Sequence, residues 1–497
     1  MAIPFISAEE AVEHIKNGDN IGFSGFTASG TPKVVPVALA AKAKKEHEAG
    51  NPFKINIFSG ASTNDFIDGE LSRAKAINMR TPYQSNGDMR KALNTHEVHY
   101  FDMHLSELAQ NMRYGFFGKL NIGILEAASI TGDGEIILGT GMGIAPTICA
   151  MAEKIIIELN DQVPSSIYGL HDAYLPMDPP NRREIPIYKP SDRIGSPTVK
   201  VDPSRIIGIV KTSKPDGVSE FAPLDETTMQ IGSNVCSFLV SELKAGRLPK
   251  GFLPMQSGVG NIANAVLSGL NQSKEIPAFE MYTEVIQDAV LELMKSGKCK
   301  FASTCSLTFS TTAMEEFFQN IDFFKDKVLI RPGEISNNPE IVRRLGLIAM
   351  NTALEADIFG NINSTHIVGT KMMNGIGGSG DFTRNAYLSV FSCPSTAKGG
   401  FISTIVPMVS HLDHSEHSVN VLITEQGVAD LRGKDPVQRA ETIIENCVHP
   451  NYKPLLWDYL KHGKGGQTPH SLNAAFAFHD EFAKSGDMSK TDWSKYF

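Results

Sequence analysis

The chain has 497 residues, of which 41% are hydrophobic and 20% are charged, and its formal net charge is −9 at pH 7. This length predicts two globular domains of roughly 200–250 residues each. The acidic balance argues against a nucleic-acid surface, because neutralising many phosphates takes clustered Lys and Arg. No apolar run reaches about 18 residues, the length that a membrane-spanning helix needs, so we expect no membrane association.

The amino terminus, MAIPFISAEEAVEHIKNGDN, carries acidic residues where a signal peptide would carry basic ones, so we expect a cytoplasmic protein. The six cysteines include no CxxC pair. They are therefore expected to be reduced core residues and not disulfides or zinc ligands.

A strand, a glycine turn and a helix recur along the chain. Residues 20–50 show the pattern first, with a short apolar run, a Gly/Ser/Thr turn, Pro32 near a helix start and an alanine-rich stretch. The Ile-rich runs KINIFSG, NIGILEA, KIIIELN and IIGIVK are typical of buried strands. Strands that alternate with helices predict a mostly parallel α/β sheet.

Two related segments indicate an internal duplication. LEAASITGDGEIILGTGMG begins at Leu125 and LEADIFGNINSTHIVGTKMMNGIGG begins at Leu354. The Gly of the shared Gly-Thr pair follows after 14 residues in the first copy (Gly139) and 15 in the second (Gly369). We therefore predict two tandem related, open, mostly parallel α/β domains.

The segment 161–205 contains 8 of the 27 prolines and is too rich in proline for regular helix, so we expect an extended crossing or flap. The domain boundary is placed soon after it, giving an N-terminal domain of residues 1–223 and a C-terminal domain of residues 224–497. The second domain would begin with the helix ETTMQIGSNVCSFLVSELKAG and end in a helical tail from about residue 463.

Glycine-rich turns match a dinucleotide-type fingerprint at three places, which are Gly141–Gly143, Gly258–Ala263 and Gly375–Gly380. Such turns let backbone N–H groups approach a phosphate or an oxyanion. Glu280 follows the second turn where a ribose-binding acid would sit, so an NAD-binding oxidoreductase is one alternative. However, the preceding residues GFLPMQS lack the β-branched run of a dinucleotide-binding strand. Ordinary strand-to-helix turns are the other interpretation.

Glu284 lies in MYTEVIQD, before apolar residues with helical spacing. This periodicity predicts a helix from Thr283, with Thr283 as its N-cap and Glu284 in the first turn on the polar face. Taken alone, the pattern favours a capping charge for Glu284.

His411, His414 and His417 alternate with Asp413 and Glu416 and raise the question of a metal site. Their Ser-rich flanks favour a polar loop, so we expect no metal. Glu425 follows the apolar run Val419–Ile423 and should lie at the C-terminal end of a strand, the edge where open α/β sheets bind ligands.

In combination, five motifs resemble the acetyl-CoA hydrolase/transferase family of class I CoA-transferases. They are QSGVGNIANAV (256–266), MYTEVIQD (281–288), RPGEISNNPEIVRRLG (331–346), NGIGGSGDFTRNAYLS (374–389) and VPMVSHLDHSEHSVNVLITEQGVADLRG (406–433). The resemblance extends over nearly the whole chain and implies an active site in the cleft between the two domains. It also implies a homodimer.

The resemblance implies that Glu284 is the nucleophile of a ping-pong reaction. Its carboxylate would attack an acyl-CoA to give an acyl-glutamyl anhydride, and the CoA thiolate would convert that anhydride to a glutamyl-CoA thioester. A free glutamate has a pKa near 4.3, so we expect Glu284 to be ionised at pH 7 without a general base.

By the same resemblance, the side chain of Asn337 and the backbone N–H of Gly378 would donate to the tetrahedral oxyanion, and Glu425 would orient the nucleophile or the substrate. CoA would be a substrate and a transient covalent thioester, with no tightly bound cofactor. The residues implied to contact CoA or its acyl group are Gly258, Val259, Gly260, Asn261, Ile262, Ala263, Asn374, Gly378 and Lys398.

The expected substrates are short acyl-CoAs such as acetyl-, propionyl- or succinyl-CoA, together with small carboxylates such as acetate or succinate. The family's carboxylate-selecting arginine has no match in KTSKPDGVSEFAPLD, so the preferred acid stays open. Acetyl-CoA hydrolysis by the same glutamate is an alternative, because water can take the place of the acceptor. A non-catalytic ligand-sensing relative is a more remote one.

Overall fold

The fold is given by a computed structural model that describes residues 3–218, 223–463 and 465–497. The chain forms two compact units. Unit 1 comprises Met1–Glu220, Glu280–Leu345 and Asn374–Asp381, and unit 2 comprises Phe221–Phe279, Gly346–Met373 and Phe382–Phe497. Residues 219–222, next to the predicted boundary after residue 223, lie outside the described residues, and that division stays a prediction.

The first nine strands form one sheet in unit 1. Their bounds are β1 Asn20–Phe23, β2 Ile55–Phe58, β3 Ile77–Thr81, β4 His99–Tyr100, β5 Ile122–Ile130, β6 Glu135–Leu138, β7 Lys154–Asn160, β8 Val199–Lys200 and β9 Ile206–Thr212. Seven of them run parallel in the order β4-β3-β2-β1-β5-β7-β9, while β6 pairs antiparallel with β5 and β8.

Six helices accompany this sheet, and their apolar faces build its core. They are α1 Ala8–Val12, α2 Val35–Glu48, α3 Glu70–Arg73, α4 Gly87–Asn94, α5 Leu105–Arg113 and α6 Ala145–Met151. Leu39 and Leu71 pack with strand residues such as Ile57 and Ile124, and all four are fully buried. Because the strand order changes direction between β1 and β5, the C-terminal edge there is the place where such sheets bind ligands.

The remaining strands are short, and many of them follow one another through turns. They are β10 Met255–Ser257, β11 Phe279–Tyr282, β12 Val285–Ile286, β13 Cys299–Thr304, β14 Ser306–Leu307, β15 Val328–Ile330, β16 Ile348–Thr352, β17 Glu355–Asp357, β18 Ile362–Asn363, β19 His366–Ile367, β20 Lys371–Met372, β21 Leu388–Ser392, β22 Thr396–Ala397, β23 Ile402–Ser403, β24 Ile405–Val406, β25 Val421–Thr424 and β26 Gly427–Asp430.

The remaining helices are α7 Glu226–Lys244, α8 Asn261–Gln272, α9 Asp288–Lys295, α10 Thr311–Gln319, α11 Ile321–Phe324, α12 Gly333–Ser336, α13 Pro339–Leu345, α14 Ser379–Thr383, α15 Pro436–Cys447, α16 Lys453–His462 and α17 Ala477–Ser485. In unit 2, β10, β16, β21 and β25 are parallel neighbours and β26 returns antiparallel to β25. Helices α15, α16 and α17 bury a second core that includes Ile444, Tyr459 and Phe478.

The predicted fold class is confirmed, since both units are mostly parallel α/β structures. The helix predicted to open the second domain is α7, and all six cysteines are buried as expected. The tail after residue 463 is only partly helical, with α17 followed by two short 3₁₀ turns. None of the helices in the described part of the chain combines the length and apolar character that crossing a bilayer requires.

Both copies of the repeat form an antiparallel hairpin, β5-β6 in unit 1 and β17-β18 in unit 2. The glutamate of each Leu-Glu-Ala sequence is buried and pairs with a basic side chain. Glu126 forms an ion pair with Lys33, and Oε2 of Glu355 lies 2.9 Å from Nε2 of His479.

The proline-rich segment 161–205 has no helix longer than a single 3₁₀ turn and only the two-residue strand β8, as its composition predicts. A buried arginine holds it in unit 1. The guanidinium of Arg331 pairs with Asp172 and donates to the carbonyl oxygens of Pro190, at 3.2 Å, and Asp192. The segment is therefore an anchored part of unit 1.

Candidate active site

Glu284 lies between two short strands and not in a helix. It follows β11 and precedes β12, and β12 pairs parallel with β14. Its carbonyl oxygen accepts hydrogen bonds from the backbone N–H of Cys305 at 2.9 Å and from Oγ1 of Thr304 at 3.0 Å. The helix predicted from Thr283 is thus wrong. The β-branched pair Val285-Ile286 extends the strand, and α9 begins only at Asp288.

The β12-β14 pair rests on the loop that follows β1, at the switch point of the parallel sheet. Oγ1 of Thr27 lies 2.8 Å from Oγ1 of Thr308, and Oγ of Ser29 donates to the carbonyl of Leu307 at 2.8 Å. Phe26 packs with Val285 and Cys305. The carboxyl edge of the first sheet therefore supports the backbone that carries Glu284.

Asn337 is fully buried and follows helix α12 directly. Its Nδ2 donates to Oε2 of Glu284 at 2.6 Å, and its Oδ1 accepts from Oγ of Ser336 at 2.8 Å. Helix α12 is itself held by a bidentate pair in which Arg113 donates two bonds of 2.7 Å to Glu334. One amide N–H is thus fixed toward the carboxylate of Glu284.

Gly378 lies so close to this pair that no side chain fits. A Cβ added at Gly378 would be 1.9 Å from Oε2 of Glu284 and 2.2 Å from Nδ2 of Asn337. Its loop is tied down where the N–H of Ile376 donates to Oδ2 of Asp102 at 2.7 Å. Asn374, in the same loop, donates from Nδ2 to the carbonyl of Gly375 at 2.9 Å. The structure thus brings Glu284, Asn337 and Gly378 together.

Asp381 is a further member of this cluster that the sequence interpretation missed. Nδ2 of Asn337 lies 3.4 Å from Oδ2 of Asp381. Ser106, at the start of α5, donates to Asp381 from its backbone N–H at 3.1 Å and from its hydroxyl at 2.5 Å. The feature of the sequence that could have pointed to Asp381 is its position in GSGDF, at the end of the glycine-rich turn.

The electrostatics of the cluster differ from the sequence expectation. Burial raises the pKa of Glu284 to about 7, although the hydrogen bond from Asn337 opposes that shift. The expectation of an ordinary pKa near 4.3 is therefore wrong, because a charge in a poorly hydrated site is disfavoured. Burial, together with the charge of Glu284, also raises the pKa of Tyr83 to about 12.

The other candidate residues belong to unit 2. Residues Gly258–Ala263 form the predicted turn between β10 and α8, with Gly260 at φ +108°. Lys398 is exposed, and its Nζ lies 5.2 Å from the ring centroid of Phe482. In this turn Val259 is exposed and Ala263 is buried.

Glu425 follows β25 directly, as predicted. Its carboxylate accepts hydrogen bonds from the N–H of Ser395 at 2.8 Å and from Nε2 of Gln426 at 3.0 Å. Burial acts to raise the pKa of Glu425, but the bonds from Ser395 and Gln426 outweigh it and hold the pKa below its usual value. Glu425 is therefore ionised at neutral pH.

The histidine-rich loop forms polar contacts. Nε2 of His411 lies 3.4 Å from Oδ1 of Asp413, and the His411 ring lies 3.9 Å from that of His366. Within residues 3–218, 223–463 and 465–497, no group of three or more His, Cys, Asp or Glu side chains is arranged to hold a metal ion.

Comparison with known proteins gives matches over both halves of the chain. Residues 4–211 match the acetyl-CoA hydrolase/transferase N-terminal domain, and residues 314–460 match the C-terminal domain of the same family. A propanoyl-CoA:succinate CoA transferase of Escherichia coli is 47% identical, over 97% of this chain and 98% of its own. A succinyl-CoA:acetate CoA-transferase of Clostridium kluyveri is 48% identical, over 97% and 90%. An acetyl-CoA hydrolase of Schizosaccharomyces pombe is 42% identical, over 97% and 95%.

Solved structures share the fold at lower identity. RipA from Yersinia pestis matches 92% of this chain and 97% of its own, with a TM-score of 0.71 and 19% identity. A 4-hydroxybutyrate CoA-transferase from Porphyromonas gingivalis matches 92% and 97%, with a TM-score of 0.62 and 21% identity.

Proposed function

The chain belongs to the acetyl-CoA hydrolase/transferase family, and from that premise we propose that it transfers CoA between a short-chain acyl-CoA and a carboxylate acceptor. Acetyl-, propionyl- or succinyl-CoA would be the donor, and acetate or succinate the acceptor. The two CoA-transferases at 47% and 48% identity support this class.

The contact that carries the proposal is the 2.6 Å hydrogen bond from Nδ2 of Asn337 to Oε2 of Glu284, with Gly378 against both. It places a fixed donor beside the carboxylate that would attack. A preorganised donor of this kind stabilises the oxyanion that develops in the transition state.

In the first half-reaction, a carboxylate oxygen of Glu284 attacks the thioester carbonyl. A new C–O bond forms, and the tetrahedral oxyanion collapses as the C–S bond breaks, leaving an acyl-glutamyl anhydride and CoA thiolate. The thiolate then attacks the glutamyl carbonyl of the anhydride, which releases the first carboxylate and leaves a glutamyl-CoA thioester. The acceptor carboxylate runs these steps in reverse and regenerates ionised Glu284, so the cycle needs no net proton transfer.

Burial of Glu284 fits this chemistry. A carboxylate with a pKa of about 7 is more basic than a free glutamate and is therefore a stronger nucleophile in its ionised form. Tight binding of the distant CoA moiety would supply the energy that brings this poorly hydrated anion to the thioester.

The roles of the remaining candidates are part of the same proposal. Residues Gly258–Ala263 would contact the acyl thioester and pantetheine, and Asn374 and Lys398 would bind CoA. Glu425, kept ionised by Ser395 and Gln426, would orient the substrate. We also propose that the protein acts as a homodimer.

Hydrolysis is the second candidate, because an acetyl-CoA hydrolase is 42% identical over 97% of the chain. The two activities are separated by incubating acetyl-CoA with and without succinate. Transfer predicts succinyl-CoA formation and little thioester loss without succinate, whereas equal loss in both samples supports the hydrolase. Mass spectrometry of protein mixed with acyl-CoA should find a CoA adduct on Glu284, and an adduct on another residue would contradict the mechanism.

A further inference from the structure

Two carboxylates share one amide in the cluster around Asn337. Nδ2 of Asn337 donates to Oε2 of Glu284 at 2.6 Å and to Oδ2 of Asp381 at 3.4 Å, so these two oxygens are no more than 6.0 Å apart. A primary amide has two N–H groups, so Nδ2 can donate to both acids at once. The orientation of the amide therefore depends on Asp381 as well as on Ser336, whose hydroxyl donates to Oδ1 of Asn337.

Asp381 is held by the first turn of α5. The backbone N–H and the hydroxyl of Ser106 both meet its carboxyl group, at 3.1 Å and 2.5 Å, and its exposed fraction is only 3%. This arrangement connects the N-terminal half of the chain, through Ser106 and Asp381, to the amide beside the proposed nucleophile.

The charged and titratable groups around Asp381 come from three elements. Glu284 lies across Asn337, and Glu334 on α12 is neutralised by Arg113. His104 lies beside Gly380, because a Cβ added there would be 2.3 Å from its Cε1. The charge of Glu284 also acts on Tyr83 and Cys305, whose pKa values are raised mainly by burial.

Asp381 is buried and Glu284 is half-buried, and two neighbouring acids in such surroundings resist carrying two negative charges at once. Burial raises the pKa of Asp381 to about 8, and the nearby charge of Glu284 adds to the shift while the bonds from Ser106 oppose it. Burial raises the pKa of Glu284 as well. Glu284 must be ionised to attack, and the amide of Asn337 lies closer to it, at 2.6 Å, than to Asp381, at 3.4 Å, so a proton retained by the pair is assigned to Asp381.

We propose that Asp381 is a positioning residue that works in its protonated form, holding the amide of Asn337 toward Glu284 without adding a second negative charge beside the nucleophile. Oδ2 stays an acceptor for Asn337 and for the N–H of Ser106, while the proton on Oδ1 is donated to the hydroxyl of Ser106. This inference rests on the proposed transfer reaction. It extends that reaction by requiring a neutral acid behind the oxyanion donor.

Asp381→Asn tests the inference, because an amide has the shape of the neutral acid and cannot ionise. We expect kcat at pH 7 within about threefold of the wild type. The wild type should lose kcat as the pH rises through about 8, since ionised Asp381 then faces ionised Glu284, and Asp381→Asn should keep its activity there. A loss of activity at pH 7 comparable to that of Glu284→Gln, or an unchanged alkaline decline, would overturn the inference.

Asp381→Ala and Ser106→Ala give independent readouts. Asp381→Ala frees the second N–H of Asn337, so we expect a fall in kcat of about tenfold or more at every pH, with little change in KM. Ser106→Ala removes the hydroxyl bond that lowers the pKa of Asp381 and keeps the bond from the backbone N–H, so the alkaline decline should move to higher pH. A decline that stays in place in Ser106→Ala contradicts the inference even if Asp381→Asn does not fold.

Asp102→Asn is the matched control, since Asp102 accepts a bond from Ile376 in the same loop and, within the described residues, has no hydrogen bond to Asn337. Its alkaline decline should follow the wild type. Glu284→Gln, assayed in parallel, separates the two proposals. If Glu284→Gln retains transfer, the proposed function fails, whereas an inactive Glu284→Gln with an ordinary alkaline decline in Asp381→Asn refutes only the role of Asp381.

Discussion

Nδ2 of Asn337 lies 2.6 Å from Oε2 of Glu284, and the amide that makes this contact is fully buried. The donor is therefore in place before any substrate arrives. A fixed donor costs little reorganisation when charge develops next to it, which is the basis of electrostatic catalysis in acyl transfer.

Replacing Glu284 by Gln should abolish transfer, because an amide can neither attack the thioester nor form the anhydride. We expect kcat to fall by at least about a thousandfold, measured as the exchange of CoA between acetyl-CoA and succinate. Glu280→Gln, on β11 just before Glu284, is the control and should retain activity. Equal losses in both variants would show that the assay reports a disturbance of β11 and not the loss of the nucleophile.

Asn337→Ala should lower kcat by about 10²- to 10³-fold with a small effect on KM, the usual result of removing one oxyanion donor. Steady-state kinetics with saturating acceptor measure this split. An effect confined to KM would show that Asn337 binds the ground state and the transition state equally.

Gly378→Ala should be inactive while the protein still folds. The added methyl group would meet Oε2 of Glu284 at 1.9 Å, so the carboxylate or the loop must move. Gly132→Ala is the matched control, since a Cβ added at Gly132, in the turn between β5 and β6, has no atom within 4 Å. Equal activity in both variants would contradict the close approach of Gly378.

The activity should rise with pH through about 7, because Glu284 reacts only when ionised and burial raises its pKa to that value. The measurement is kcat/KM from pH 5 to 8, which reports groups of the free enzyme. Asn337→Ala removes a bond that lowers this pKa, so its acid limb should move to higher pH. A rise centred near pH 4.5 would show that Glu284 is well hydrated.

The raised pKa of Glu284 also affects the stability of the protein, which can be measured without an activity assay. The folded pKa of Glu284 is raised, so folding binds a proton between about pH 4.5 and 7, and the contribution of this group to stability is lost as the pH rises through that window. Glu284→Gln should therefore gain in Tm relative to the wild type as the pH is raised from 4.5 to 8. A constant difference in Tm would contradict the shift.

Arg331→Met should destabilise unit 1 by about 3–5 kcal/mol, the usual cost of leaving one partner of a buried ion pair alone. The guanidinium of Arg331 is 0% exposed and its partner Asp172 is 1% exposed. Arg73→Met is the control, since Arg73 is 39% exposed and its pairs should contribute no more than about 1 kcal/mol. Denaturant unfolding of both variants gives the comparison.

The fold class followed from the sequence because it depends on patterns that repeat over many residues. Ile-rich runs such as KIIIELN and IIGIVK became β7 and β9 of a parallel sheet. The proline count of residues 161–205 likewise excluded regular helix. The attachment of residues 161–205 to unit 1 was not predictable, because it depends on Arg331 and Arg344, which lie more than a hundred residues away along the chain.

The conformation at Glu284 could not be read from its neighbours. The spacing of Val285, Ile286, Ala289 and Val290 fits a helix, but pairing of β12 with β14 fixes the first two residues as a strand. The pKa of Glu284 and the position of Asp381 in the cluster could not be predicted from the sequence either. Both depend on burial and on Asn337 and Ser106, which come near only in the folded chain.

The buried glutamates Glu126 and Glu355 occupy the same place in two related segments, yet their basic partners come from outside those segments, Lys33 in one case and His479 in the other. The duplicated segment therefore cannot be moved on its own. A chimera that moved one copy into a new scaffold without its basic partner would bury a lone carboxylate, at a cost of several kcal/mol. After a duplication, divergence of the two halves thus requires changes far from the repeat as well as within it.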